Sequence, residues 1–416
     1  MTKARLALNK LSLKFALSAV TTALVLTGCG DGDSSTASTT STGLTSMVVF
    51  GDSLSDIGTY KVGAIAAVGG GTWSVNSPTA KNWTQLVAAQ YNLPTPCSAQ
   101  TGLLSIQPGI AAVPIQNFSS CKNYAQGSSR TTSPFGPNSI AIQRALFGIA
   151  KSGGATDAQA AQFTGTSALG LMAVPVAAQM ATHLTTVAGA YSGKELVTVM
   201  VGGNDTFLQL NGVSSAEAGG AGAVGAAQFA GWSAGVQGAV AAGGAAAAGA
   251  AKQAAVAAMA QAATELIALV NTQVVAKGAK YVAVVNLPDV SQTPFAATLD
   301  PATRDSINLL VTTFNNTLSA GLAGKPNVIV VDAYTQGRDQ VANPAQYGLS
   351  NVTSPACSAT SPANPLGGTS LTCTPASLIA GDTSKYLFAD GVHLSPYGNQ
   401  LLAQFVAKNL IIAGWQ

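Results

Sequence analysis

Val48-Val49-Phe50-Gly51-Asp52-Ser53-Leu54-Ser55-Asp56 is an apolar, β-branched run that halts at Gly-Asp-Ser. A run without polar alternation suits a strand buried on both faces of a parallel sheet. The halt hands Ser53 to a loop at the strand's carboxyl end. Outward from it, short apolar runs at 196–201, 281–286 and 328–331 alternate with helical patterns at 174–190, 250–277 and 301–323. That alternation predicts an α/β fold, a mainly parallel sheet covered by helices. Sites in such sheets lie beyond the carboxyl ends of strands. Ser53, Asn204 and Pro288 each follow a strand candidate closely, so they are expected on one edge.

The chain holds only two histidines in 416 residues, and one lies in Asp390-Gly391-Val392-His393. A serine nucleophile near neutral pH needs an imidazole base, and the imidazole needs an acceptor to fix its tautomer. Asp390 is placed to be that acceptor. The other histidine, His183, sits on an amphipathic pattern and reads as a surface or structural histidine.

Residues 1–29 read as an export leader. Lys3, Arg5, Lys10 and Lys14 form a basic start, 15–25 an apolar core, and Leu26-Thr27-Gly28-Cys29 a small-residue site. The core is shorter than the roughly 20 residues that span a bilayer. Leu26-Thr27-Gly28-Cys29 resembles the lipobox of bacterial lipoproteins, which implies that Cys29 is lipidated and anchors the chain in a membrane of the cell envelope. The alternative is an ordinary secretory signal. Gly30, in place of an aspartate, favours the outer membrane. Residues 30–46 are mostly Gly, Asp, Ser and Thr and suit a flexible tether; a single domain is expected over 47–416. Removing the leader takes away four of 19 basic residues and none of the 16 acidic ones. The basic balance therefore belongs to the leader, and nothing points to nucleic acid. Cys97, Cys121, Cys357 and Cys373 remain, in an oxidising compartment. Of three possible pairings, Cys97 with Cys121 and Cys357 with Cys373 is favoured because each closes a short Pro-, Ser- and Thr-rich stretch. No metal-ligand spacing accompanies them.

Four islands, Gly51-Asp52-Ser53-Leu54-Ser55, Asn123-Tyr124-Ala125-Gln126-Gly127, Gly202-Gly203-Asn204-Asp205 and Asp390-Gly391-Val392-His393, resemble in this order the blocks of the GDSL, or SGNH, hydrolases. Asn286-Leu287-Pro288-Asp289 and Pro344-Ala345-Gln346-Tyr347-Gly348-Leu349 extend the likeness to the lipase and esterase branch. The resemblance implies a flavodoxin-like α/β/α sandwich without cofactor or metal. It also implies an exported esterase or lipase in which Ser53 attacks an ester carbonyl, His393 shuttles the proton and Asp390 orients the ring. Its oxyanion donors would be the backbone N–H groups of Ser53 and Gly127 and the Asn204 amide. Ser128 stands where the family often has a second glycine, and His393-Leu394-Ser395-Pro396 where it often has His-Pro-Thr. Inserts near 98–120, 211–250 and 336–384 are expected, the first two as shapers of an acyl pocket.

Lipid acyl transfer, polysaccharide O-deacetylation and extracellular polyester hydrolysis are alternatives on the same scaffold. A non-catalytic binding lipoprotein would have no use for the full residue set. The partners expected are an ester substrate and a membrane, with no obligate protein partner. Gly231-Trp232-Ser233-Ala234-Gly235 matches the G-x-S-x-G elbow, but the Gly- and Ala-rich stretch before it lacks β-formers. Residues 219–262 read as a Gly-rich loop running into an Ala-rich helix, not as a membrane span, because they hold almost no Leu, Ile or Phe.

Overall fold

A computed structural model of the chain describes residues 43–106, 110–165 and 169–416; the leader, Cys29 and most of the expected tether lie outside these. The apolar run forms strand β1 (Ser46–Gly51), and the antiparallel pair β2 (Gln100–Leu103) and β3 (Val113–Asn117) follows. Strands β4 (Glu195–Met200), β5 (Tyr281–Val285) and β6 (Val328–Val331) complete the main sheet. It is parallel, in the order β1-β4-β5-β6. A single parallel bridge from Val49 to Asn123 adds a vestigial strand outside β1. With that segment counted second, the order is the 2-1-3-4-5 of flavodoxin-like sheets, whose switch point lies between β1 and its inner neighbour.

The helices include α1 (Trp83–Gln90), α2 (Ile140–Ser152), α3 (Val176–Thr186), α4 (Gly203–Ala218), α5 (Ala221–Ala230), α6 (Ala234–Ala242), α7 (Gly244–Leu269), α8 (Pro301–Leu322), α9 (Ala333–Ala342) and α10 (Pro396–Ile412). Side chains alternate across a strand, and both faces here are apolar. Val48, Phe50, Val197, Val199, Val282 and Val284 pack with α3, α4, α7 and α8. Met47, Val49, Leu196, Met200, Ala283 and Val285 pack with α1 and α10. The result is the expected three-layer sandwich.

The stretch 219–243 departs from the expected loop: it forms α5 and α6. Alanine is the strongest helix former, so the helices tolerate Gly222, Gly225, Gly235 and Gly238 within them, while other glycines mark their ends. Gly231, at φ +84°, caps α5, and Gly243, at φ +75°, ends α6. The helical stretch Gly244–Lys277 is long and apolar enough to cross a membrane. Within α7, however, Ala247, Ala251, Ala255, Met259 and Ala263 form a buried stripe at a spacing of four, and α7 packs against α4 and α8. Ser233 sits between two helices as the N-cap of α6, with no strand before it.

Both favoured cysteine pairs are bonded, Cys97 to Cys121 and Cys357 to Cys373. His183 is buried among the rings of Phe50, Tyr124 and Tyr191, with Nδ1 3.2 Å from the Tyr124 hydroxyl. Burial, reinforced by Lys122, pushes its imidazole down to about 4. An unfolded histidine titrates near ~6.5, so between these values the unfolded chain holds a proton that the native one lacks. The stability this represents is fully present above the upper value and is lost as pH falls towards the lower one. Replacing His183 by phenylalanine is expected to remove that dependence. The stability gap between wild type and His183→Phe, measured by urea titration, should shift in the variant's favour from pH 7 to pH 4.5. A gap constant with pH would contradict a neutral buried imidazole.

Candidate active site

Ser53 leaves the carboxyl end of β1 at the switch point. Gly51 is required there by contact, because a Cβ would lie 2.5 Å from the Met200 carbonyl of β4. The Gln179 amide from α3 brackets the same residue, accepting from Gly51 N–H at 2.9 Å and donating to its carbonyl at 2.8 Å. Beyond it, Asp52 Oδ1 accepts from Leu54 N–H at 3.0 Å, which closes the turn that presents Ser53.

His393 and Asp390 come from the loop before α10, whose first turn is capped by Ser395. Ser53 Oγ lies 2.9 Å from His393 Nε2, and His393 Nδ1 lies 2.9 and 2.8 Å from the two Asp390 carboxylate oxygens. Asp390 also accepts from the N–H groups of Ser370, Val392 and His393. Burial alone would raise this carboxyl, but His393 and these donors outweigh it and hold Asp390 well below the ordinary carboxylate range. Asp52, equally buried but with fewer donors, is pushed by burial up to about 7 against the pull of Leu54 N–H and His393. Two carboxyl groups near one imidazole are thus pushed in opposite directions, and the one held low is hydrogen-bonded to the ring.

The expected oxyanion donors divide. Ser53 N–H has no hydrogen-bond partner among the described residues. Asn204, in the first turn of α4, gives one amide hydrogen to the Ser129 carbonyl at 2.9 Å and keeps a second donor. Gly127 differs from expectation, because its N–H donates to Asp56 Oδ2 at 2.9 Å. Its glycine identity has another cause: a Cβ would meet the Trp73 ring at 2.3 Å. The next residue, Ser128, takes φ +69°, the left-handed conformation glycine usually supplies, and its N–H has no partner among the described residues. Ser53, Ser128 and Asn204 all line one cavity of about 260 Å³.

That cavity is mostly apolar, with Met200, Phe207, Leu287, Val290, Phe388 and Leu402 in its walls. Among the described residues, none of 98–120 or 211–250 lines it. Their described residues form the antiparallel β2–β3 pair and helices packed with α4 and α7, so the expectation that they shape the pocket is not met among the described residues. The third insert, 336–384, contributes Gln336, Gly337, Gln340 and Val341 through α9.

Sequence reasoning missed several residues that hold the site. Trp73 lies with its ring centroid 4.9 Å from that of His393 and packs against Gly127. Asp56 ties Gly58, Thr59 and Gly127 together by their N–H groups. Arg130 pairs with Asp205, both buried, at 2.9 Å. Asp56 was visible just after the first island, where nothing in the sequence pointed to its link with Gly127. Nothing in the sequence marks Trp73 or Gln179.

A buried acid, an imidazole and a serine in one hydrogen-bonded row, at the carboxyl edge of a parallel sheet, make up a serine-hydrolase architecture. The chain belongs to the GDSL-like Lipase/Acylhydrolase family, whose sequence profile matches residues 47–406. It is 39% identical over 79 residues to a GDSL esterase/lipase of Arabidopsis thaliana, covering 18% of this chain and 20% of that protein. It is 30% identical over 142 residues to the GDSL esterase/lipase APG of the same plant, covering 32% of this chain and 39% of that protein. The matched stretches span less than half of either relative. The crystal structure of an extracellular lipase from Streptomyces rimosus aligns over 88% of this chain and 98% of that one, at 14% identity and a TM-score of 0.33.

Proposed function

We propose that this chain is an exported serine esterase that hydrolyses carboxylic esters through an acyl-enzyme. The observation that carries the reading is the row from Asp390 through His393 to Ser53, opening onto an apolar cavity beside two unpaired backbone N–H groups. Ser53 Oγ attacks the ester carbonyl carbon while His393 Nε2 takes its proton. The new C–O bond pushes an electron pair onto the former carbonyl oxygen. The N–H groups of Ser53 and Ser128 and the free Asn204 amide hydrogen stabilise that oxygen, each such donor being worth roughly 3 kcal/mol. His393 then protonates the leaving alcohol as the acyl–alcohol bond breaks. A water, deprotonated by His393, releases the acid by the reverse sequence. Asp390 stays ionised throughout and holds the imidazolium. The Trp73 face beside the ring stabilises the same cation.

Export rests on the leader and the lipobox-like Leu26-Thr27-Gly28-Cys29, and two disulfides suit an oxidising compartment. The chain is read as a hydrolase domain over 47–416, tethered by 30–46 to an acylated Cys29 in the bacterial envelope.

Mass spectrometry of the protein purified from its membrane fraction, treated with a fluorophosphonate, tests both readings. Ser53 Oγ should displace fluoride and carry the phosphonyl group, and the mature chain should start at lipidated Cys29. An adduct on Ser233, or none, overturns the proposed nucleophile. A chain retaining residues before Cys29, or an unmodified Cys29, overturns the anchor.

A further inference from the structure

We infer that the cavity beside Ser53 receives a linear acyl chain of about ten carbons, and that Gly337 in α9 sets how much of that chain can enter. This rests on the esterase reading above and names its substrate class. The cavity crosses the carboxyl edge of the whole sheet: Leu54 lines it after β1, Met200 at the end of β4, Leu287 after β5 and Ala333 after β6. Three inter-strand steps of about 4.8 Å make it on the order of 14 Å long. An extended chain advances about 1.2 Å per bond, since a residue's three bonds span at most ~3.6 Å. Keeping the terminal methyl about 2 Å from the end wall, half a carbon–carbon contact distance, leaves about 12 Å or roughly ten bonds, so an acyl group of roughly ten carbons fills the path. An acetyl group would leave most of the 260 Å³ empty, at roughly 30 Å³ for each water-sized unit.

One wall is a single helical face. Ala333, Gln336, Gly337, Gln340 and Val341 all line the cavity, at the i, i+3, i+4, i+7, i+8 spacing of one side of α9. Gly337 has no conformational reason to be glycine, because it lies within the helix and its φ is not positive. Nor does contact demand it: the nearest atom to an added Cβ is Pro288 Cβ, at 4.0 Å. Glycine weakens a helix interior relative to alanine, and here it leaves open bore. Pro288 follows β5, so Gly337 stands about two strand steps from Ser53, roughly eight bonds along the chain. Gln340, on the next turn of the same face, is buried, and its amide has no hydrogen-bond partner among the described residues. A polar amide there ends the apolar path.

The test compares kcat/KM for 4-nitrophenyl acetate, butyrate, octanoate, decanoate and palmitate in wild type, Gly337→Ala and Gly337→Leu. Wild type should peak at octanoate or decanoate. The decanoate-to-butyrate ratio should fall at least tenfold in Gly337→Leu, within what a few methylenes can discriminate, and less in Gly337→Ala. A wild-type optimum at acetate, or a ratio within twofold of wild type in Gly337→Leu, overturns the inference while leaving the esterase reading intact. The wild-type profile decides the chain length even where Gly337→Leu does not fold. No turnover of any ester by wild type overturns the esterase reading and this inference with it.

Discussion

Ser53→Ala is expected to lower kcat/KM on 4-nitrophenyl esters by at least about 10⁴-fold, on the order of 5.5 kcal/mol of transition-state stabilisation. The side chain removed is the proposed nucleophile, and among the described residues its one side-chain partner is His393 at 2.9 Å. Stability should therefore barely change, and the loss should appear in kcat. His393→Ala should cost about as much. The double variant should be no worse, because residues that act as a unit are grossly non-additive. Residual turnover would come from the Ser53 and Ser128 N–H groups and Asn204, which do not need the hydroxyl. Ser233→Ala is the control: it caps α6 from a turn between helices and should leave the rate at the wild-type value. A Ser53→Ala variant within tenfold of wild type would sink the mechanism.

The elements that positioned these residues were legible for different reasons. β1, β4, β5 and β6 are nearly continuous apolar runs because both sheet faces are covered, whereas a strand with one solvated face would alternate apolar with polar residues. The row of Ser53, His393 and Asp390 was legible because each residue ends or follows such an element inside a short motif. What stayed hidden depends on contacts between motifs. Gly127 and Ser128 differ by one position, and only the direction of Asp56, which draws in the Gly127 N–H, separates a structural amide from a free one. The Ala-rich insert was misread because glycine signals both a loop and a helix end, and spacing alone does not distinguish them. The lining of the cavity was misplaced because a long insert draws attention, whereas α9 enters the site through a single glycine-bearing face.

Asp205→Ala is expected to destabilise the protein by about 3–5 kcal/mol, because it leaves the buried Arg130 guanidinium without its counter-charge. Asp205 Oδ1 pairs with Arg130 Nε at 2.9 Å, and Oδ2 accepts from both the N–H and the hydroxyl of Thr131, at 3.0 and 3.1 Å. Arg130 reaches on to the Phe229 carbonyl of α5 at 2.9 Å. One carboxylate therefore ties the start of α4, the segment after Gly127 and the helical insert. For a domain of this size the cost corresponds to a drop of roughly 4–7 °C in Tm. The loss should not stop at stability. Ser128 and the Ser129 carbonyl that holds Asn204 lie just before Arg130, so loosening this segment would misplace two of the proposed oxyanion donors at once. The variant should lose kcat even at temperatures where it is fully folded. Replacing both partners, as in Arg130→Met with Asp205→Leu, should recover much of the stability, since no charge is then left buried. It should not recover kcat, because Thr131 still lacks the acceptor that fixes the loop. Thermal unfolding and rates on one ester, measured for the single and double variants, check both halves. A double variant as unstable as Asp205→Ala would show that the buried charge is not the source of the cost.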